Sequence, residues 1–154
     1  MEIPNDVRDE MFARAGIDRN VLCRALIEYG PDGVKGLYKK RWSRANPWVG
    51  YCWVVSQFVL QCDWVPGDVC MWELKPDLLD GLGIKDESLA HCYLQWQRNG
   101  PWVDLTAEQF GNQWDKLDYH VGACRVRAET VRRRSSLDRR VCELQRLYSR
   151  FRAD

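Results

Sequence analysis

The sequence predicts an α+β fold in which a small antiparallel sheet packs on a central helix, with further helices at both ends. Three observations support this prediction. The predicted elements run in the order helices, three strands, helices. Apolar residues make up 45% of the chain and include eight Trp, enough to build a core. The 154 residues match one domain. We divide this single domain into N-terminal helices (1–45), a core segment (46–122) and a basic C-terminal helix (123–154).

The first 30 residues predict two helices. Val7, Met11 and Ala15 fall on one face of the first, and Gly16 stands where a left-handed C-terminal cap would fall. Asp18 is placed to cap the second, which Gly30 ends before Pro31.

Residues 51–61 predict a central helix, because this stretch is apolar on nearly every side. The Asn46-Pro47 pair precedes it and breaks any earlier helix, since the residue before proline avoids the helical region.

Three short segments rich in Val, Leu, Trp and Tyr predict strands at 68–74, 89–96 and 102–105. A two-residue turn at Asn99-Gly100 would place Gln95 opposite Asp104. His91 would then lie about 13 Å away along the strand, so the turn must be looser for His91 to meet Asp104. Thr106 and Gln109 predict a capping box for a short helix at 107–114.

The C-terminal segment predicts an amphipathic helix preceded by a second capping signal, Ser135 with Asp138. Its apolar stripe is Leu137, Val141, Leu144, Tyr148 and Phe151. We expect this stripe to pack on its own chain or to pair two copies as a homodimer. Residues 123–154 carry ten Arg against four acidic residues, a net +6, whereas the rest carries 13 basic and 18 acidic residues, a net −5. This asymmetry indicates either intramolecular complementarity or, as a weaker alternative, nucleic-acid binding.

Membrane insertion and export are not expected. No apolar run reaches the 18 to 20 residues of a membrane span, and the acidic N-terminus does not match a signal peptide. The seven cysteines are scattered singly, without zinc-ligand or disulfide-framework spacing. We therefore expect a cytoplasmic protein with free thiols, no metal and no cofactor.

Cys52, His91 and Asp104 are the candidate catalytic residues. Cys52 is the one cysteine predicted at a helix start, where free N–H groups and the helix dipole favour the thiolate. His91 begins a predicted strand and supplies a general base. Asp104 ends the next strand, and a carboxylate in apolar surroundings needs a partner such as an imidazole N–H. Cys, His and Asp in this order and placement are typical of papain-like thiol catalysts.

Three further residues are candidates for holding the substrate. Gly50 would let a substrate approach the backbone closely, and Tyr51 directly precedes the nucleophile. The Cys52 N–H and the Asn46 side chain would hold an oxyanion. Trp48, Trp53 and Trp102 are candidates for a substrate groove, although Trp is more often a core residue.

The sequence also resembles the YunG-like family of small bacterial and phage proteins and, more distantly, papain-like and transglutaminase-like proteins. The resemblance covers roughly residues 42–122. Its motif residues are Asn46, Pro47, Gly50, Cys52, His91, Asp104, Thr106, Gln109 and Phe110. It implies a papain-like or transglutaminase-like α+β fold with a Cys-His-Asp site, located in the cytoplasm of a bacterium or a phage-infected host. The family often carries Gln or His where this chain has Tyr51, and Asn46 lies at the offset of the papain-like side-chain donor.

Two functions follow as expectations. The first is a cysteine-dependent acyl-transfer enzyme that hydrolyses or exchanges an amide, isopeptide or thioester bond of a peptide or acyl substrate. The second is a catalytically silent binding protein of phage or bacterial origin that acts on a protein or nucleic-acid partner. The sequence does not distinguish a hydrolase from a transferase.

Overall fold

The computed structural model describes residues 5–36, 38–62, 64–65, 68–75, 90–96, 100–133 and 137–154. These residues form a mixed fold of helices and strands. The α-helices are α1 (Asn5–Arg14), α2 (Arg19–Tyr29), α3 (Tyr38–Arg41), α4 (Cys52–Leu60), α5 (Ala128–Arg133) and α6 (Arg139–Ala153). Three 3-10 segments, Gly30–Gly33, Ala107–Lys116 and Tyr119–Val121, lie between them.

The sheet has four antiparallel strands in the order β3-β2-β1-β4. They are β1 (Cys70–Leu74), β2 (His91–Gln95), β3 (Trp102–Val103) and β4 (Ala123–Arg127). The α+β class and the small antiparallel sheet predicted from the sequence are therefore present.

The first helices form as predicted. Asp18 caps α2, its side chain accepting hydrogen bonds from the backbone N–H groups of Asn20 and Val21. Gly16 adopts φ +71°, the left-handed conformation expected after α1. The central helix α4 is buried along its length, with only Trp53 partly exposed. Its apolar sequence therefore reflects packing on every side.

The connection between β2 and β3 is wider than predicted. Gln95 pairs with Trp102 rather than with Asp104, and Leu94 pairs with Val103. The Trp96 N–H donates to the carbonyl of Pro101 at 3.0 Å, which closes a longer loop than a two-residue turn. Asn99 itself, like Leu89, lies outside the described residues.

The fourth strand corrects the predicted division of the chain. Residues 123–127, assigned from the sequence to the basic C-terminal helix, instead pair with β1 as β4. Only Val126 of this strand is buried. A single buried residue among arginines gives too little alternation for the strand to be recognised from the sequence.

The two faces of the sheet are covered differently. One face joins the large core beneath α4 through Met71, Leu94 and Val103. The other face carries a smaller aromatic cluster, whose buried members are Leu74, Tyr93, Leu117 and Tyr119 and whose partly buried members are Trp72, Trp102 and Phe110. The His91 ring stacks on the Tyr93 ring and therefore belongs to this second face.

The apolar stripe of α6 packs on the chain itself, the first of the two arrangements predicted for it. The helix lies against α2 and α4. The Tyr148 ring meets Phe58 edge-on with 5.4 Å between centroids, and its hydroxyl accepts a hydrogen bond from the Asp18 N–H. The stripe is therefore buried within one chain, and it gives no reason to expect a homodimer. Ser135 lies outside the described residues, and Asp138 caps the helix.

Several C-terminal arginines pair within the chain. Arg150 pairs with Glu28 of α2, and Arg125 with Glu73 of β1. Arg132 donates to the carbonyl of Cys62 just beyond α4. These contacts account for part of the charge asymmetry by intramolecular pairing. Among the described helices, none combines the length and apolarity that crossing a membrane requires.

Candidate active site

Cys52 is the first residue of α4, as predicted. The preceding Tyr51 makes no side-chain cap, so its hydroxyl does not bind the N–H groups of the first turn. The thiol is buried, with 4% of the residue exposed, and lies 3.9 Å from the carbonyl oxygen of Ala90. This contact places the sulfur beside the first residues of β2.

The pKa of the Cys52 thiol is held well below its ordinary value. A hydrogen bond with the Cys92 thiol contributes most, burial opposes it, and a hydrogen bond and the charge of His91 lower the pKa further. The Cys92 backbone N–H also donates to the sulfur. Cys92 has the opposite shift, because its pKa is raised by Cys52 and by burial. The thiolate is therefore favoured on Cys52.

His91 and Asp104 form a buried pair, both with 0% of the residue exposed. His91 Nε2 lies 2.7 Å from Asp104 Oδ2. The observed register explains the meeting: continued by one pair, it places Asp104 opposite Tyr93, and therefore diagonal to His91 on the same face. The looser turn that the sequence required is thus present, and the two residues meet.

The Asp104 carboxylate has three donors. Its Oδ2 accepts hydrogen bonds from His91 and from the Tyr119 hydroxyl, the latter at 2.7 Å, and its Oδ1 accepts from the Thr106 N–H at 3.2 Å. Burying a carboxylate is costly unless its oxygens are hydrogen-bonded, and these contacts meet that requirement. Burial first, and then Asp104, raise the pKa of Tyr119, so its phenol stays protonated and donates.

The second ring nitrogen of His91 faces Gln109. Nδ1 lies 3.2 Å from Gln109 Nε2, which also donates to Thr106 Oγ1 at 2.9 Å. An amide N–H donated to Nδ1 needs a lone pair there, so this contact fits the neutral ring, with its proton on Nε2 toward Asp104. Burial alone would lower the pKa of His91, but the charge and hydrogen bond of Asp104, together with Cys52, raise it to about 10. Near neutral pH the favoured state is therefore an imidazolium at His91 beside the Cys52 thiolate.

Gln109 is a site residue whose role the sequence analysis missed. The capping signature with Thr106 identified its position, and the Gln109 amide does contact the Thr106 hydroxyl. In a capping box the glutamine would bind the Thr106 N–H, but that group donates to Asp104. The amide is consequently free to reach His91. The contact of Tyr119 with Asp104 was also missed, and no local signal in the sequence indicates it.

Asn46 and Gly50 connect the loop before Cys52 to the segment that carries Gln109. Asn46 Nδ2 donates to the carbonyl of Glu108 at 2.9 Å, so the amide assigned to an oxyanion already has an acceptor. The Gly50 N–H donates to Gln109 Oε1 at 3.3 Å. Gly50 has φ +79°, and a Cβ there would overlap Val34 and Tyr38. Its lack of a side chain thus serves packing inside the protein, whereas the sequence analysis assigned it to substrate approach.

Tyr51 and two of the three candidate groove tryptophans lie elsewhere. The Tyr51 hydroxyl donates to the carbonyl of Gly30 at 2.6 Å, away from the site. Trp48 is buried in the large core, which also contains Cys52, and Trp53 packs against that core; no contact of either with His91 or Asp104 is seen among the described residues. Trp102 alone lies on the His91 face, its ring 5.5 Å from that of Tyr93. The structure therefore brings together Cys52, His91 and Asp104, with Gln109, Tyr119 and Phe110 around them.

The site contains groups for acid–base and thiol chemistry. Within the ranges that the structure describes, no cluster of His, Cys, Asp or Glu is arranged to hold a metal ion. No protein-family model matches the chain, nor does any curated protein or solved structure. The function is therefore argued from the site.

Proposed function

We propose that the protein is a cysteine-dependent acyl-transfer enzyme with Cys52 as nucleophile, His91 as general base and Asp104 as the residue that orients His91. The observation that carries the proposal is the buried His91–Asp104 hydrogen bond, together with the interaction of the same imidazole with a thiol at a helix start. This arrangement supports a papain-like placement, in which the cysteine lies on a central helix and the His-Asp pair on the sheet.

The proposed reaction has two steps. The Cys52 thiolate, whose proton is already held by His91, attacks the acyl carbonyl and forms a carbon–sulfur bond. The bond to the leaving group then breaks, and His91 returns its proton to that group. Water or an amine next attacks the thioester and regenerates the thiol. Asp104 keeps the ring proton on Nε2 and stabilises the imidazolium in both steps.

The amide N–H of Gln109 would turn away from Nδ1 in the imidazolium state, because an imidazolium has no lone pair to accept it. The oxyanion would be held by the Cys52 N–H at the start of α4 and by the second N–H of Asn46, since the first is bonded to Glu108.

The second candidate function is a binding protein without turnover. One observation favours it: Cys52, His91 and Asp104 are all buried, with exposed fractions of 4%, 0% and 0%. A substrate would need access that this arrangement does not give to the sulfur. In this alternative the three residues form a structural polar network.

A small activated ester tests the proposal without knowledge of the natural substrate. We expect p-nitrophenyl acetate to release a burst of about one p-nitrophenol per chain, with the acetyl group located on Cys52 by mass spectrometry. His91→Ala should slow the burst about 10²-fold or more, because it removes the general base. Cys142→Ser removes an exposed thiol outside the site and should leave the burst unchanged.

The outcomes separate the two candidates. Acetylation confined to the exposed Cys124 and Cys142, at a rate unaffected by His91→Ala, would contradict the enzyme. Circular dichroism of each variant shows whether a lost burst reflects lost chemistry or lost structure.

A further inference from the structure

A second pair of cysteines lies outside the proposed active site, across β1 and β4. The Cys124 thiol donates a hydrogen bond to Cys70 Sγ, and the two sulfur atoms are 3.1 Å apart. Trp72 pairs with Cys124, and the register shifts between Met71 and Trp72. This irregularity brings Cys124 diagonally to Cys70 on the same face of the sheet. The sulfur atoms need to approach by only about 1 Å to reach the length of a disulfide bond.

The two thiols differ in access. Cys124 is exposed, whereas Cys70 is buried with 6% of the residue exposed. A redox-active pair needs one thiol that an external reagent can reach and a second thiol close enough to resolve the product. Burial, and then the neighbouring Cys124, raise the pKa of Cys70 to about 11, which favours Cys124 as the sulfur that reacts first.

Charged residues of both signs lie near the pair. Arg125 follows Cys124 directly, and Arg127 pairs with Cys70 in the register of β1 and β4. Arg127 is exposed, and Arg125 is paired with Glu73 at the surface. Asp68 also acts on Cys70, where it opposes Arg127, so the exposed Arg127 is the cation that would attract an anionic reagent.

We propose that Cys70 and Cys124 form a reversible disulfide, oxidised by a small anionic disulfide of the glutathione class. The Cys124 thiolate attacks one sulfur of oxidised glutathione, forming a mixed disulfide and releasing one glutathione thiolate. Cys70, as its thiolate, then attacks Cys124 Sγ and releases the second glutathione. The protein loses two electrons and two protons, and one oxidised glutathione becomes two reduced molecules.

This inference does not depend on the proposed function, and the experiment keeps the two apart. The full chain carrying Cys52→Ser, which lacks the proposed nucleophile, is equilibrated in glutathione buffers from reducing to oxidising ratios. Free thiols are then alkylated, and the protein is cut before aspartate. This cleavage separates Cys70, in residues 68–76, from Cys124, in residues 118–137, and each peptide contains one cysteine.

We expect the two peptides to be linked in oxidising buffer and separate in reducing buffer, with the melting temperature of the linked protein raised by several degrees. Cys70→Ser should stop at a single glutathione on Cys124, and Cys124→Ser should abolish both products. Cys142→Ser, which removes the other exposed thiol, should leave the link intact.

The inference is overturned if the peptides stay separate at every ratio, or if they link only after the chain is unfolded in urea. Replacing oxidised glutathione with the neutral hydroxyethyl disulfide tests whether Arg127 attracts the anionic reagent. We expect the mixed disulfide on Cys124 to form several-fold more slowly with the neutral reagent at low salt, and equal rates would remove the anionic class from the proposal.

Discussion

Alternate residues of β2 face two different environments. Cys92 and Leu94 lie against the large apolar core beneath α4, whereas His91 and Tyr93 lie in the aromatic cluster on the other face, where they contact polar groups of Asp104 and Tyr119. The first face is held by packing, which has little directionality, and the second by hydrogen bonds with fixed partners. Cys52 interacts with a residue from each face, Cys92 and His91, so the thiol lies where the two environments meet.

The largest effect on stability is expected on the packed face. Leu94→Ala removes a fully buried side chain, and the free energy of unfolding should fall by about 2–5 kcal/mol, because the cavity adds to the lost transfer energy. Urea denaturation measures this change. A loss below about 1 kcal/mol would mean that the core rearranges to fill the space and that packing on this face is loose.

The second prediction concerns the pH dependence of stability. His91 has a raised pKa, so its contribution is complete below about pH 6.5, the unfolded pKa, and is lost as the pH rises through about 10. Cys52 has a lowered pKa, so its contribution is present above about pH 8.5, the unfolded pKa, and is lost as the pH falls through the folded pKa. Between about pH 6.5 and 8.5 the two trends offset each other, and the native protein should show a flat stability profile.

Cys52→Ser removes one side of this balance. The unfolding free energy should then fall with rising pH across the same interval, by up to about 1.4 kcal/mol per pH unit. Urea denaturation at several pH values measures the slope, and Cys142→Ser, at an exposed cysteine, should stay flat. Parallel profiles for the native chain and Cys52→Ser would show that the pKa of Cys52 is not lowered in the folded protein.

A smaller effect distinguishes two tyrosines on the polar face. Tyr119→Phe should cost about 1.5–3 kcal/mol, because the buried Asp104 carboxylate loses a donor. Tyr93→Phe removes a hydrogen bond to the neutral carbonyl of Tyr119 and should cost about 0.5–1.5 kcal/mol. Thermal unfolding of the matched pair measures the difference. Equal losses would argue against a charged Asp104 as the centre of this face.

The smallest expected effect is a shift in the pH profile of Cys52 alkylation, and the direction of the shift is informative. Gln109→Leu removes the amide N–H that stabilises neutral His91, so the imidazolium becomes easier to form beside the Cys52 thiolate. The pH profile of Cys52 alkylation by iodoacetamide should therefore shift to lower pH, by about 0.5–1 pH unit. A shift to higher pH would indicate that Gln109 instead presents its oxygen to a protonated Nδ1.

The sequence predicts local features of this molecule better than contacts between distant segments. α4 was predictable because its apolar side chains surround the helix, and the cap of α2 because Asp18 acts on residues two and three positions away. The triad residues were predictable as chemical types in a meaningful order. Their meeting was not, because it depends on a loop whose width the Asn99-Gly100 pair predicted wrongly.

Other parts of the site carry no local signal. Tyr119 reaches Asp104 from 15 residues further along the chain, and nothing in its neighbours indicates a buried hydroxyl. The spacing of Gln109 from Thr106 predicted a helix cap. A glutamine that caps a helix and one that contacts a histidine cannot be distinguished by sequence alone. β4 could not be recognised from the sequence, because Val126 is its single inward residue and the arginines on either side give no strand alternation.

The ends of the sheet have a consequence for how copies of the protein meet. Open strand edges can recruit strands from other molecules and start aggregation. Of the described strands, β3 offers two residues at one edge, immediately after Pro101, which has no N–H to donate. At the other edge β4 is irregular and carries the exposed Arg127, whose charge would meet the same charge of a second copy arriving edge to edge. We therefore expect edge-to-edge pairing of two copies to be disfavoured at β4.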